Sequence, residues 1–201
     1  MKEFAVIGRP NSGKTLFVLN FAAFLHCKSV DMTFRSPDGL MNCRHFTLAE
    51  AKRELCGQAP HKTRSIQSLV LRVPVGKTAV AFKLTDTCGI QETIHENDAI
   101  RRGMAQTLSL IRNGDFIVHL VDLTAINEAY LAETQSIDQE VYHYGIARQR
   151  YLLLANKIDL PPAVSNLPRL NAAFAQATVI AVSALTGQGF PAVKAQVAQN
   201  V

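Results

Sequence analysis

Tryptophan is absent from this chain, aromatic residues make up only 7% of it and charged residues 18%. Such a low charge content, set against 48% hydrophobic residues, excludes a disordered chain and predicts a folded core. Acids are the scarcer charged class, 16 against 21 lysines and arginines, which leaves a formal +5. That excludes an acidic solvating segment and permits a polyanionic partner such as nucleotide, RNA or an anionic membrane; a +5 carried for solubility alone is the competing reading. No apolar run is long enough to span a bilayer. The first one, Phe4 to Ile7, stops after four residues, so a cleavable signal pattern is not expected. Cysteine is sparse. Cys27, Cys43, Cys56 and Cys88 match no zinc, thioredoxin or haem spacing, and reduced thiols in a cytoplasmic protein are the expectation. The 201 residues suit one domain of ordinary size.

What is present has an alternating rhythm. Short continuous apolar runs at 4–7, 116–121, 151–155 and 178–182 read as strands buried on both faces. Helices are expected at 15–26, 98–112, 129–144 and 191–199, with Gly145 and Asn113-Gly114 as stops. Residues 66–75 and 78–85 read as a hairpin turning at Gly76-Lys77, which places one antiparallel strand at the edge of a mostly parallel sheet. Residues 28–65 break the rhythm. Ser36-Pro37-Asp38-Gly39 marks a turn between two short strand-like runs, and Thr47-Leu48-Ala49-Glu50 is a capping pattern that predicts a helix, with Gly57 as its stop. The segment holds seven lysines and arginines against four acids, +3 of the chain's +5.

Four motifs carry chemistry. Gly8-Arg9-Pro10-Asn11-Ser12-Gly13-Lys14-Thr15, between a strand and a helix, has the phosphate-loop pattern. Its glycines let backbone N–H groups approach phosphates at a helix N-terminus, Lys14 bridges the β- and γ-phosphates, and the Thr15 hydroxyl ligates Mg2+. Asp86-Thr87-Cys88-Gly89 follows a strand; Asp86 there can hold the magnesium through water, and the Gly89 N–H can meet a γ-phosphate. Asn156-Lys157-Ile158-Asp159 supplies a carboxylate that accepts from N1–H and the exocyclic amine of guanine. Adenine would leave both oxygens unpaired. Ser183-Ala184-Leu185-Thr186-Gly187 offers backbone N–H groups to guanine O6.

In this order the motifs resemble those of the translation-factor-related GTPases, and within them the Era/EngA/TrmE-like G domains. The resembling residues are 8–15, 62–64, 86–90, 156–159 and 183–187. The resemblance implies a three-layer α/β fold with a six-stranded, mostly parallel sheet and GTP hydrolysis coupled to a conformational switch. It implies one G domain over 1–201, with an insertion at about 28–62, since the 78 residues from Gly8 to Asp86 exceed the usual span by about thirty. It further implies Thr63 as the switch threonine completing the magnesium shell, and Asn11 as the asparagine of members that place K+ between the phosphates. Nucleotide contacts are then expected from Asn11, Ser12, Gly13, Lys14, Thr15, Asn156, Lys157, Asp159, Ser183, Ala184 and Leu185. Catalytic roles fall to Lys14, Thr63 and Gly89.

Ile90 departs from the Ras-like pattern, in which a glutamine orients the attacking water. An apolar side chain cannot do so. Intrinsic turnover is therefore expected to be slow, with the water positioned by the Thr63 backbone, by Glu92, Glu96 or Asp98, or by a partner. The chain ends soon after the last helix, and no appended RNA-binding domain is expected. A ribosome or RNA partner would have to use the basic insertion. The alternative reading is a GTP-dependent homodimerisation or docking module with little hydrolysis. A phosphate-loop ATPase or kinase would not account for Asn156-Lys157-Ile158-Asp159. His119, inside an apolar strand, is expected as a hydrogen-bonded core residue.

Overall fold

The computed structural model describes all residues except 37, 58–64, 93–95 and 134–135. Eight strands form one sheet: β1 (Glu3–Ile7), β2 (Ser29–Arg35), β3 (Met41–Thr47), β4 (Ile66–Val75), β5 (Thr78–Asp86), β6 (Phe116–Asp122), β7 (Tyr151–Asn156) and β8 (Val179–Ala181). Their order is β3-β2-β4-β5-β1-β6-β7-β8. Pairing is parallel from β5 through β8, and antiparallel for β5–β4, β4–β2 and β2–β3. Strands β3 and β4 thus run against the other six.

The central strands are apolar throughout because helices cover both faces. In β1, Phe4 and Val6 point to one layer while Ala5 and Ile7 point to the other, as the two-residue period of a strand requires. The first layer is built by α1 (Lys14–Phe24), α2 (Leu48–Leu55) and α7 (Phe190–Asn200). In it Phe190 meets Phe17, Phe21 and Phe24 edge-on. The second layer holds α3 (Asp98–Asn113), α5 (Ile137–Ala147) and α6 (Pro161–Ala173). A short α4 (Glu128–Ala132) lies in the loop before α5.

The segment between α1 and β4 folds as a hairpin and a helix. Strands β2 and β3 pair from Ser29↔Thr47 to Arg35↔Met41, and β2 joins β4 at Thr33↔Ser68. Helix α2 starts with the expected capping box: the Thr47 hydroxyl accepts from the Glu50 N–H, and the Glu50 carboxylate accepts from the Thr47 N–H. Its buried Leu48 and Ala51 close over the α1 side of the sheet. The hairpin's turn reaches α3, where Gln106 Nε2 donates to the Ser36 carbonyl at 2.9 Å and Arg102 pairs with Asp38 at 2.7 Å.

Three expectations need correction. The sheet has eight strands and not six, because β2 and β3 extend it past the antiparallel strand expected at its edge. The helix expected over 129–144 is two helices. Asn127 and Ser136 each cap a separate start by accepting from Tyr130 and Gln139 N–H groups. Helix α6 lies where no helix is expected. Pro161 and Pro162 sit in its first turn, where a missing N–H costs nothing, and Pro168 is carried inside it.

Candidate functional site

The four motifs meet at the carboxyl ends of β1, β5, β7 and β8, on one edge of the sheet. Between β1 and α1 the chain turns through Gly8 (φ 147°), Asn11 (φ 60°) and Gly13 (φ 98°). A Cβ on Gly8 would sit 2.2 Å from the Leu120 carbonyl oxygen, so only glycine lets the loop leave β1 this closely beside β6. Lys14 folds back over the loop, Nζ donating to the carbonyls of Arg9 (2.8 Å) and Gly8 (3.1 Å). Burial pulls its ammonium below the usual lysine range, with Asp86 opposing.

The Thr15 hydroxyl donates to Asp86 Oδ2 at 2.6 Å. Asp86 is fully buried, and burial pushes its carboxyl up to about 6 against that hydrogen bond and the charge of Lys14. Its Oδ1 and the Ser12 hydroxyl are buried polar atoms without a hydrogen-bond partner. A hard cation takes oxygen ligands and keeps several waters. The Asp86 oxygen left over beside the Thr15 hydroxyl fits such an ion. The Asp86-Thr87-Cys88-Gly89 loop lies against the phosphate loop: a Cβ on Gly89 would come within 2.9 Å of Pro10, and Ile90 N–H donates to the Gly8 carbonyl. Cys88 is buried and burial pushes its thiol up, which makes it an inert neutral side chain.

Asn156 ties the loops together. Its Nδ2 donates to the Ser12 carbonyl (2.7 Å), and its Oδ1 accepts from the Ala184 N–H (2.8 Å). Lys157 (φ 69°) pairs with Asp122 at the end of β6. Asp159 and Leu185 are exposed at the rim. The Ser183 hydroxyl accepts from Thr186 N–H and closes that turn. Lys62, Thr63 and Arg64 lie outside the described residues.

Ile90 is a core residue and is not available to solvent. Among the acids considered for positioning water, Glu92 is engaged with Arg9 Nη2 (2.5 Å) and with the Ile137 N–H at the start of α5. Asp98 is paired with Arg101 and Arg102. The Arg9 contact opens onto a network that sequence reasoning did not find. Arg9 Nε donates to Asp138 Oδ2 (2.6 Å), as does the Tyr130 hydroxyl (3.0 Å). His119 Nε2 donates to Asp138 Oδ1 (2.9 Å), and His119 Nδ1 lies 2.7 Å from the Tyr151 hydroxyl. Burial works to raise the Asp138 carboxyl, yet the hydrogen bonds of His119 and Arg9 and the guanidinium charge of Arg9 hold it well below the usual carboxylate range. Burial and the nearby carboxylate push both tyrosine hydroxyls up, so they remain donors. His119 is thus the hydrogen-bonded core histidine expected of its strand. Its partners lie 19 and 32 residues away, and Arg9 and Asp138 are 129 apart, separations that no local pattern reveals.

A phosphate-loop turn between β1 and α1, an aspartate on its threonine and a base motif tied to both define a P-loop GTPase domain. The chain belongs to the 50S ribosome-binding GTPase family, whose sequence model matches residues 46–157. Among curated proteins it is 27% identical over 151 residues to the tRNA modification GTPase MnmE of Chlorobium chlorochromatii, covering 75% of this chain and 30% of that protein. The chain spans about a quarter to a third of the length of the curated relatives it matches. Among solved structures, Era in complex with MgGDPNP and a segment of 16S ribosomal RNA matches with a TM-score of 0.66 at 20% identity, over 99% of this chain and 56% of that one. NFeoB from S. thermophilus, bound to GDP.AlF4- and K+, matches with a TM-score of 0.58 at 20% identity, over 100% of this chain and 62% of that one. Among the described residues, no helix is long and apolar enough to cross a membrane.

Proposed function

We propose that the chain is a GTP-operated switch of the cytoplasm that hydrolyses GTP slowly by itself and faster with K+. The observation that carries this reading is the Thr15–Asp86 contact with the second Asp86 oxygen buried and unpartnered. In this reading Thr15 and Asp86, with Thr63, hold Mg2+, which when bound neutralises charge on the β- and γ-phosphates. Lys14 exchanges its two loop carbonyls for phosphate oxygens. The N–H groups of 11–15 cradle the phosphates, Gly89 N–H reports the γ-phosphate, and Asp159 selects guanine, with Lys157 covering the base and the 183–185 turn facing O6. The whole chain is read as one G domain, with 28–62 inserted between α1 and the switch threonine.

Asn11 takes a left-handed conformation at the exposed edge of the loop, and in this reading its side-chain oxygen ligates a monovalent cation. NFeoB from S. thermophilus, of similar fold, is bound to K+ together with GDP.AlF4-, which supports K+ as the cation. With Ile90 in the core, a cation that neutralises developing charge is one local source of acceleration that needs no side chain at that position. Single-turnover GTP hydrolysis is therefore expected to run at least about tenfold faster in KCl than in NaCl, with the difference lost in Asn11→Ala. Equal rates in the two salts remove K+ from the reading. Absence of hydrolysis in both, together with GTP-dependent sedimentation as a dimer, favours the docking module instead.

The insertion supports a polyanionic partner, and the Era structure with 16S ribosomal RNA suggests ribosomal RNA. Its four acids are each engaged, three within the insertion (Asp31 with His45, Glu50 with Thr47 and Glu54 with Arg44) and Asp38 with Arg102 of α3. Lys28, Arg35, Lys52 and Arg53 make no ion pair among the described residues. Phosphate tracking by these four groups predicts an affinity for ribosomal RNA whose logarithm falls with log salt at a slope of about −3. Arg35→Gln reduces that slope by about 0.7. A flat salt dependence excludes this surface.

A further inference from the structure

The first residues of β4 contain a polar side chain that the nucleotide motifs do not use. Gln67 is buried, 4% exposed, and its Oε1 has no hydrogen-bond partner. An unsatisfied buried amide oxygen is destabilising, and a leucine there would carry no such cost. The next residues of the same face, Leu69, Leu71 and Val73, are apolar core facing α1. Gln67 is the polar end of an otherwise apolar stripe.

Register says what lies beside it. Gln67 is directly opposite Asp86 in the β4–β5 ladder, as Leu69 is opposite Leu84 and Leu71 opposite Phe82. Residues opposite each other in an antiparallel pair project from the same face, with Cβ atoms about 4.5–5.5 Å apart. Gln67 therefore shares with Asp86 the face on which Asp86 takes the Thr15 hydroxyl. Two buried oxygens on neighbouring strands, Gln67 Oε1 and Asp86 Oδ1, are both unpartnered at this point. Both are acceptors, so neither can satisfy the other. A shared donor satisfies both, and water polarised by a divalent cation is such a donor.

We propose that Gln67 is a positioning residue of the magnesium site, its Oε1 accepting a hydrogen bond from a metal-bound water beside Asp86. The inference rests on the magnesium reading of Thr15 and Asp86. Its consequence is that magnesium, and with it GDP, is retained more firmly than the threonine and aspartate alone would allow.

The test is release of N-methylanthraniloyl-GDP from the full chain across a Mg2+ titration. Gln67→Met keeps length and burial and removes the strong acceptor. It is expected to raise the Mg2+ concentration for half-maximal retention about tenfold, while release in EDTA stays at the wild-type value and the metal-free thermal midpoint does not fall below that of wild type. Gln67→Glu keeps an acceptor and is expected to hold the midpoint at or below that of wild type. An unchanged midpoint in Gln67→Met overturns the proposal, and so does an equal acceleration in EDTA, which would mark a purely structural role. Asp86→Asn separates the two levels. If it shifts the midpoint and Gln67→Met does not, only Gln67 is wrongly assigned; if Asp86→Asn leaves the midpoint unmoved, the magnesium reading fails and this inference with it.

Discussion

Replacing Asp159 by Asn is expected to weaken GTP binding by about 10²–10⁴-fold, from the loss of two charge-assisted hydrogen bonds worth about 1.5–3 kcal/mol each. The same substitution improves binding of xanthosine triphosphate. Xanthine presents a carbonyl at C2 where guanine has an amine, and the introduced amide offers that oxygen a donor where the carboxylate repels it. The carboxylate lies in an exposed loop, but the Asn156 bridge to Ser12 and Ala184 fixes the turn that carries it. The substitution should therefore leave the fold and the phosphate contacts intact. Competition of each triphosphate against labelled GDP measures the exchange. Unchanged preference for guanine would show that another group reads the base.

The second large effect concerns stability. Asp138→Asn is expected to cost about 2–4 kcal/mol in urea unfolding at neutral pH, because it leaves His119 and Arg9 without the carboxylate they surround. Arg9 is about one-third exposed, which holds the estimate below that of a fully buried pair. The pH dependence has a definite sign. Since the folded state holds the Asp138 carboxyl below its unfolded value, protons bind it more weakly in the fold. Its contribution is complete above the unfolded value of about 4 and disappears as pH falls further. Wild-type stability should decline more steeply below pH 4 than that of Asp138→Asn, and the two curves should converge. Parallel curves would mean that the carboxyl is not linked to folding. Because Arg9 belongs to the phosphate loop and also holds Glu92, the variant should loosen the loop after Gly89 as well.

Much of the fold and site was legible because the chemistry sits in short contiguous motifs. Each apolar strand announces itself by a run such as Tyr151 to Ala155, and three of the four motifs follow directly on one, the Asp86 motif standing instead at the end of a hairpin strand. The capping box at Thr47 and Glu50 was readable for the same reason, since its two partners are three residues apart. Long-range pairing was not. Nothing in Met41 to Thr47 alone says that it will extend the sheet, because its side chains are mostly exposed and its place is set by pairing with β2. Helix α6 was hidden by its prolines, which read as punctuation until two of them are seen in the first turn. The Asp138 network was hidden because its members come from the phosphate loop, β6, β7 and the α4–α5 region. Gln67 looked like any polar residue near a strand end. Its meaning appears only when β4 is laid beside β5.

The hairpin turn that touches α3 carries a thermodynamic obligation. Ser36 and Asp38 hold Gln106 and Arg102 of the helix that follows the Asp86-Gly89 loop. Suppose a partner grips this turn and favours one placement of α3, and that placement differs between GDP and GTP. The partner's affinity then depends on the nucleotide by some factor, and reciprocity requires the ratio of GTP to GDP affinity to change by that same factor when the partner is bound. A ligand on the inserted hairpin would in that case bias nucleotide exchange without touching the nucleotide, and the size of that bias could be read from either side of the cycle.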